Sequence, residues 1–502
     1  MSPIVYVIAI AIYTAIILYV SLGAAYDKRS TKSTQGFFQG TGKTNIVVLV
    51  FTTCASSFST WVFMGSPAST FENGMTWILF CCMWQLSIAL QNGYWGPRVW
   101  CLNKTHHFMT EPEMYNQYFR TKTNIIRYLV ARIFVVGLVP SLIAQLVGMG
   151  RAMEFATNGV IPQWVGIVYC CAICCIYVFF GGFKSATWVD TFQGILFTFG
   201  LWGGVILVAV FFQDGLPGMY AALAEYNEGL ILYATSLSSY WNVRMALSFC
   251  AVSVLGGCMW PTYSQRWAAA NLGQDLVKLG FYMPLLTAIG VTLPGGIVGV
   301  AGNLFGFLNF PTHNDIFTMV TEYIFPFWGI VVTLGVLAAG MSTVAGTLSC
   351  ASMVISKDFV SHIKKDASDK YVVRVGRICV VVITAIAFIG AMSNPPSITM
   401  LIQISGSIFI FGLLARVGLF LWKRATAPGV TAGIVAGIIA LIFFTFWMPN
   451  LFSIATGLWS FGVSVIVCVA ASLATPAIPA EFRAAYLEPL KKHHALSKTR
   501  VD

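Results

Sequence analysis

The sequence predicts an all-α polytopic membrane protein, and three observations carry that prediction. Of 502 residues, 57% are apolar and only 9% charged, whereas a soluble domain is roughly a quarter charged. Apolar stretches of about 20 residues, the length that crosses a bilayer, recur along the whole chain. The few basic residues then fall on alternate loops, the pattern that marks a cytoplasmic side. The 14% aromatic content and 46 glycines fit membrane helices as well. Disorder, collagen and secreted disulfide scaffolds are excluded by the same composition.

About thirteen spans follow, at 3–25, 44–70, 74–98, 124–152, 160–182, 188–212, 241–262, 279–302, 325–354, 372–393, 397–422, 427–447 and 452–475. The first lacks a basic leader and its apolar core is too long for a signal peptide, so it is read as an uncleaved span. Lys28, Arg29, Lys32 and Lys43 follow span 1, and Lys104, Arg120 and Lys122 follow span 3. Lys184 follows span 5, Arg266 and Lys278 follow span 7, and Lys357, Lys364, Lys365, Lys370 and Arg374 follow span 9. Lys423 and Arg424 follow span 11, and the tail carries Arg483, Lys491, Lys492, Lys498 and Arg500. The intervening loops have no Lys or Arg, and the longest holds Asp214, Glu225 and Glu228. An odd span count with this charge pattern puts the N-terminus outside and the C-terminus in the cytoplasm, in the plasma membrane (the inner membrane of a bacterium). The net charge of +11 then faces anionic lipid and requires no nucleic-acid partner.

None of the thirteen cysteines lies in an expected outside loop, which argues against a disulfide framework. Cys170, Cys171, Cys174 and Cys175 share one helical face but have no acid or histidine beside them, so they read as small buried hydrophobes. The six histidines, His106, His107, His313, His362, His493 and His494, all fall outside the spans, which excludes bis-histidine haem ligation within them. No zinc-protease or phosphate-loop motif occurs. The chain is therefore not expected to be an enzyme, and no cofactor is expected.

Transport remains as a use for such a bundle, and transporters with repeated halves place their sites at discontinuous helices. Span 2 carries Thr52, Thr53, Ser56, Ser57, Ser59 and Thr60, whose hydroxyls compete for backbone partners. Span 7 carries Gly256 and Gly257 mid-helix, before Pro261. The two lie five spans apart, as the first helices of two five-helix repeats do. In span 9, Ser342 and Thr343 offer adjacent neutral oxygens suited to a hard ion such as sodium, with carbonyls freed by a broken helix completing its shell. No acid sits at the centre of a span, and Asp190 stands at the cytoplasmic end of span 6. Arg132, the deepest span arginine, is read as structural.

The stretch Gly181-Gly182-Phe183-Lys184-Ser185-Ala186-Thr187-Trp188-Val189-Asp190-Thr191-Phe192-Gln193-Gly194 resembles the span 5–6 signature of the sodium:solute symporter family. Residues 55–67 resemble that family's first broken helix, and 338–346 its sodium-binding helix. The resemblance implies a LeuT-like core of two inverted repeats. Spans 2–6 (44–213) form the first and spans 7–11 (241–422) the second, within a single transporter domain covering 1–502. The first span and its basic loop (1–43), two further spans (427–475) and a cytoplasmic tail (476–502) are added to that core. It further implies a sodium site built from the carbonyls of Ala55, Phe58 and Ala339 and the hydroxyls of Ser342 and Thr343, with Asp190 near the ion's exit path. Proline permeases of the family carry Asp where this chain has Ser57, which speaks against proline. Span 4, with Gln145, resembles pantothenate permeases and related carboxylate carriers.

The expectation is a symporter importing a small organic solute (a carboxylate, an amino acid or a pantothenate-like molecule) with sodium as coupling ion, the monomer sufficing. Substrate is expected near Ser57, Trp61 and Gln85, beside Gly256 and Gly257, under Gln403. A proton-coupled carrier of the same fold and a transporter-like sensor are the alternatives.

Overall fold

The computed structural model describes residues 1–25, 33–40, 44–231, 242–307, 313–360, 364 and 367–492. Lys28, Arg29, Lys32, Lys43, Lys365, Lys498, Arg500, His362, His493 and His494 lie outside the described residues.

Span 1 is the helix Pro3–Ala25. Span 2 is a bent pair, Ile46–Ser57 and Thr60–Asn73. Span 3 runs through Thr76–Ala89, a widened π-type turn at Leu90–Trp95, and Gly96–His106. Span 4 is Ile125–Ala156. The segments expected as spans 5 and 6 form one 49-residue helix, Gln163–Phe211, kinked at Gly182 (φ 57°, ψ −148°). Only glycine adopts that conformation without strain, and a Cβ there would also stand 2.6 Å from the Phe37 carbonyl oxygen. Span 7 is a second interrupted helix, Val243–Gly257 followed by Pro261–Ala269. Spans 8 to 13 lie within Gly273–Phe305, Trp328–Val360, Asp369–Met392, Ile398–Phe420, Ala427–Trp447 and Thr456–Ala474.

Among the described residues, ten helices are long and apolar enough to cross a membrane, or eleven when the bent pair counts as one. The expected thirteen exceeds this for two reasons. Spans 5 and 6 share a helix, which at about 1.5 Å per residue is far longer than one bilayer crossing. Span 3 is diluted by Gln85, Gln91, Asn92, Arg98 and Lys104.

Spans 4, 5, 9 and 10 pack on one another, and spans 2, 3, 7 and 8 form a second group. Span 9 is enclosed between them and buried along almost its whole length. Its small residues explain this, since glycine, alanine and serine let neighbouring backbones approach closely. Arg132 is exposed, so it is not the structural arginine expected. That part falls to Arg127, Arg266 and Arg416, each buried and ion-paired.

Candidate functional site

The hydroxyls of span 2 produce its break. Ser56 and Ser57 donate to the Thr53 carbonyl at 3.0 and 2.6 Å, competing with the helical ladder. Phe58 and Ser59 are extended. Ser59 then restarts the helix by accepting the Trp61 N–H at 3.2 Å, as N-cap serines do. The two halves meet at 67°. Gln145 of span 4 spans the gap, its Oε1 accepting the Thr60 N–H at 2.8 Å and the Thr60 hydroxyl at 3.1 Å.

Span 9 lies against this break. Ser342 Oγ is 2.8 Å from the Ala55 carbonyl oxygen and 3.0 Å from that of Ala339. Thr343 Oγ1 is 2.7 Å from the Phe58 carbonyl oxygen and 3.1 Å from that of Ala339. Ala55, Phe58, Ala339, Ser342 and Thr343 are thus brought together, and all are buried. The cluster contains five neutral hard oxygens and no ammonium or guanidinium, a donor set suited to a small alkali cation.

The second break, at Cys258–Trp260, is already filled by protein donors. Arg416 Nη1 donates to the Cys258 carbonyl, and Gln91 Nε2 donates to the Trp260 carbonyl at 2.8 Å. Arg416 is in turn held by both oxygens of Glu111, at 2.7 and 2.6 Å. A fixed guanidinium therefore answers the freed carbonyl there, whereas the Ala55 and Phe58 carbonyls of the first break meet hydroxyls.

Asp190 is fully buried. It accepts from the Thr52 hydroxyl at 3.0 Å and pairs with Arg266 at 3.3 Å. Arg266 also donates to the Thr52 carbonyl at 3.2 Å. Asp190 is thereby coupled to the helix that carries Ala55, one turn before it, while its Oδ1 has no partner among the described residues. Arg127–Asp358 at 2.7 Å and Arg416–Glu111 at 2.6 Å are buried ion pairs of the same kind.

Beside the first break opens a cavity onto which Ser57, Trp61, Gln85 and Gln403 face. Gln85 is fixed to span 8, donating to Thr292 Oγ1 at 3.0 Å and accepting from Thr287. Ser56, Phe58 and Thr343 border both this cavity and the oxygen cluster. Gly256 and Gly257, expected at the substrate, do not line it. They are packing glycines: a Cβ on Gly256 would collide with the Gly406 carbonyl, and one on Gly257 would stand 2.8 Å from Ser87 Cβ. Their lack of side chain lets span 7 touch spans 11 and 3.

Ser253 also lines the cavity, as do Trp84, Trp260 and Tyr263, which no pattern in the sequence marks out. Aromatics are common along this chain, so only the meeting of several spans around the cavity distinguishes these. Gln145 carried a usable signal, as a lone amide in an apolar span. Among the described residues no group of three or more His, Cys, Asp or Glu is arranged to hold a metal.

Two broken helices, an oxygen cluster at one of them and an adjoining cavity define a secondary transporter of the LeuT-like fold. Residues 37–437 match the model of the sodium:solute symporter family, and the chain belongs to that family. It is similar to the sodium/proline symporters of Salmonella typhimurium (27% identity, covering 82% of this chain and 83% of the relative) and of Escherichia coli (25%, 94% of each). Its fold matches a substrate-bound, outward-open Na+-coupled sialic acid symporter, with a TM-score of 0.75 at 17% identity over 94% of this chain and 98% of the other. It also matches Mhp1, a nucleobase–cation symport-1 family transporter in a closed conformation (TM-score 0.56, 12% identity, 91% and 99% covered). The family and these neighbours are transporters, and the chain is a multi-pass plasma-membrane protein of that kind.

Proposed function

We propose that this chain is a sodium-coupled symporter that imports a small organic solute by alternating access. The observation that carries the reading is the convergence of Ala55, Phe58 and Ala339 carbonyls with Ser342 and Thr343 hydroxyls across the span 2 break, next to a largely apolar cavity. Sodium is a hard ion that takes such oxygens in place of water. Bound there, it ties the span 2 break to span 9 and shifts the population toward the outward-open state, to the extent that it binds that state more tightly. Spans 4, 5, 9 and 10 tilt against the broken helices as the cavity changes sides. Asp190 lies on the ion's way out, where its bond to Thr52 and its pairing with Arg266 open as the basic face opens.

The proposal includes thirteen passes with the N-terminus outside and the C-terminus inside, repeats over 44–213 and 241–422, and a monomer competent in the lipid bilayer. Solute contacts fall to Ser57, Trp61, Gln85 and Gln403. The relatives named for proline and for sialic acid both handle carboxylates, while Ser57 replaces the acid of proline permeases. Uptake of carboxylates, amino acids, sugars and pantothenate into proteoliposomes, driven by an imposed sodium or proton gradient, tests the reading. Accumulation is expected with sodium alone. Accumulation driven by the proton gradient and indifferent to sodium overturns it.

A further inference from the structure

We propose that the solute is a small monocarboxylate with an apolar body, bound as the counter-ion of sodium in a cavity that supplies no charge of its own. This rests on the sodium reading above and goes beyond it by fixing the solute's charge. Among the described residues, none that lines the cavity carries a carboxylate, ammonium, guanidinium or imidazole. The adjoining oxygen cluster is equally neutral, as its five oxygens come from carbonyls and hydroxyls. The ionised groups on the neighbouring helices are spent on one another: Asp190 on Arg266 at 3.3 Å, and Glu111 on Arg416 at 2.6 Å. Sodium therefore enters a buried place with no opposite charge, and an uncompensated buried ion is costly. A solute carrying a single negative charge removes that cost, and one carrying two recreates it with the other sign.

The polar atoms left over agree in kind. Among the described residues, the buried side-chain polar atoms that line the cavity without a hydrogen-bond partner are Ser253 Oγ and Gln403 Nε2. Ser253 is 3% exposed. The amide nitrogen can only donate, and the hydroxyl has a proton free to donate, so one acceptor satisfies both. A carboxylate offers four lone-pair sites and no hydrogen, and hydrogen bonds to it are stronger than those to a neutral oxygen. The rest of the wall is apolar, with Trp61, Phe80, Trp84 and Trp260 among it, which sets the solute's body. An ammonium group on the solute finds no acid here.

The test uses the purified full chain in detergent, with thermal unfolding followed in sodium chloride and in choline chloride. The probes are phenylacetate and propionate, their amides phenylacetamide and propionamide, and succinate and L-alanine. In sodium, phenylacetate or propionate is expected to raise the melting temperature at concentrations about tenfold or more below its amide, the worth of a charge-assisted contact. Succinate and alanine are expected to be weaker still, and none of the probes should act in choline. Gln403→Ala and Ser253→Ala should each raise the required carboxylate concentration about tenfold, with stabilisation by sodium alone serving as the check that the variants are folded. An amide or alanine that matches the acids in sodium overturns the solute class while leaving the sodium reading intact. Carboxylate affinity unchanged in both folded variants overturns it too. If sodium alone fails to stabilise the wild-type chain, the sodium reading falls, and the counter-ion argument falls with it.

Discussion

Removing the Thr343 hydroxyl is the sharpest perturbation of the oxygen cluster. Thr343 Oγ1 stands 2.7 Å from the Phe58 carbonyl oxygen and 3.1 Å from that of Ala339, at 4% exposure. Thr343→Ala deletes one of five oxygens from the proposed sodium shell and leaves only a methyl group where the hydroxyl stood. A buried contact to a charged partner is worth about 1.5–3 kcal/mol, so half-saturating sodium should rise about 10- to 100-fold. The same substitution unpins the Phe58 carbonyl in the sodium-free state, which destabilises that state and pulls the shift toward the lower end. Ser342→Ala, which frees the Ala55 carbonyl, should act alike. Thr343→Ser keeps the oxygen and is expected within about threefold of wild type. Melting temperature as a function of sodium concentration gives the apparent affinity without needing the solute, and sodium-dependent uptake supplies the independent check. Sodium titrations that coincide for wild type and both alanine variants, at comparable expression, would refute the assignment.

Three further predictions follow from contacts elsewhere. Gly256→Ala places a Cβ against the Gly406 backbone, which has no flexible end to yield; it should cost about 1–3 kcal/mol of stability, seen as a lower melting temperature with unchanged solute half-saturation in whatever protein remains folded. Glu111→Ala removes the partner held by Arg416 at 2.6 Å and strands a buried guanidinium, a loss of about 3–5 kcal/mol; melting temperature and expression report it, and Glu111→Asp should recover part of both. Asp315 bridges the loop helix Ile316–Ile324 to Arg151 of span 4 at 3.2 Å, and burial raises its pKa, outweighing the lowering by Arg151. A carboxyl raised in the folded state binds its proton more readily there than in the unfolded chain. Its contribution to stability therefore grows as pH falls from its folded pKa toward the ordinary carboxylate value, and is lost as pH rises through the folded pKa. Asp315→Asn should remove that part of the acid-side pH dependence, measured as the difference between the two melting-temperature profiles.

Much of this transporter is legible along the chain. Apolar stretches and alternating loop charge fix the class of protein, because a bilayer demands both. Hydroxyl crowding in span 2 and the glycine pair before Pro261 locate the two interruptions, since each weakens a helix through its own backbone chemistry. The adjacent oxygens of Ser342 and Thr343 are visible for the same local reason. Gly256 and Gly257 show where this reading overreaches. The break does follow them, but a glycine that faces a solute and a glycine that admits a neighbouring helix look alike until the neighbour, Gly406 or Ser87, is known.

What the sequence determined by itself is thus what depends on near neighbours in the chain: where apolar helices run and where two of them break. The tertiary structure alone decided which partners meet. Ser342 reaches the Ala55 carbonyl across 287 residues and Thr343 reaches Phe58 across 285, and Asp190 meets Arg266 across 76. Helical periodicity tells which residues share a face, but which foreign helix covers that face is set by packing of the whole bundle. The oxygen cluster, the neutral cavity and the guanidinium that fills the second break all arise at such meetings.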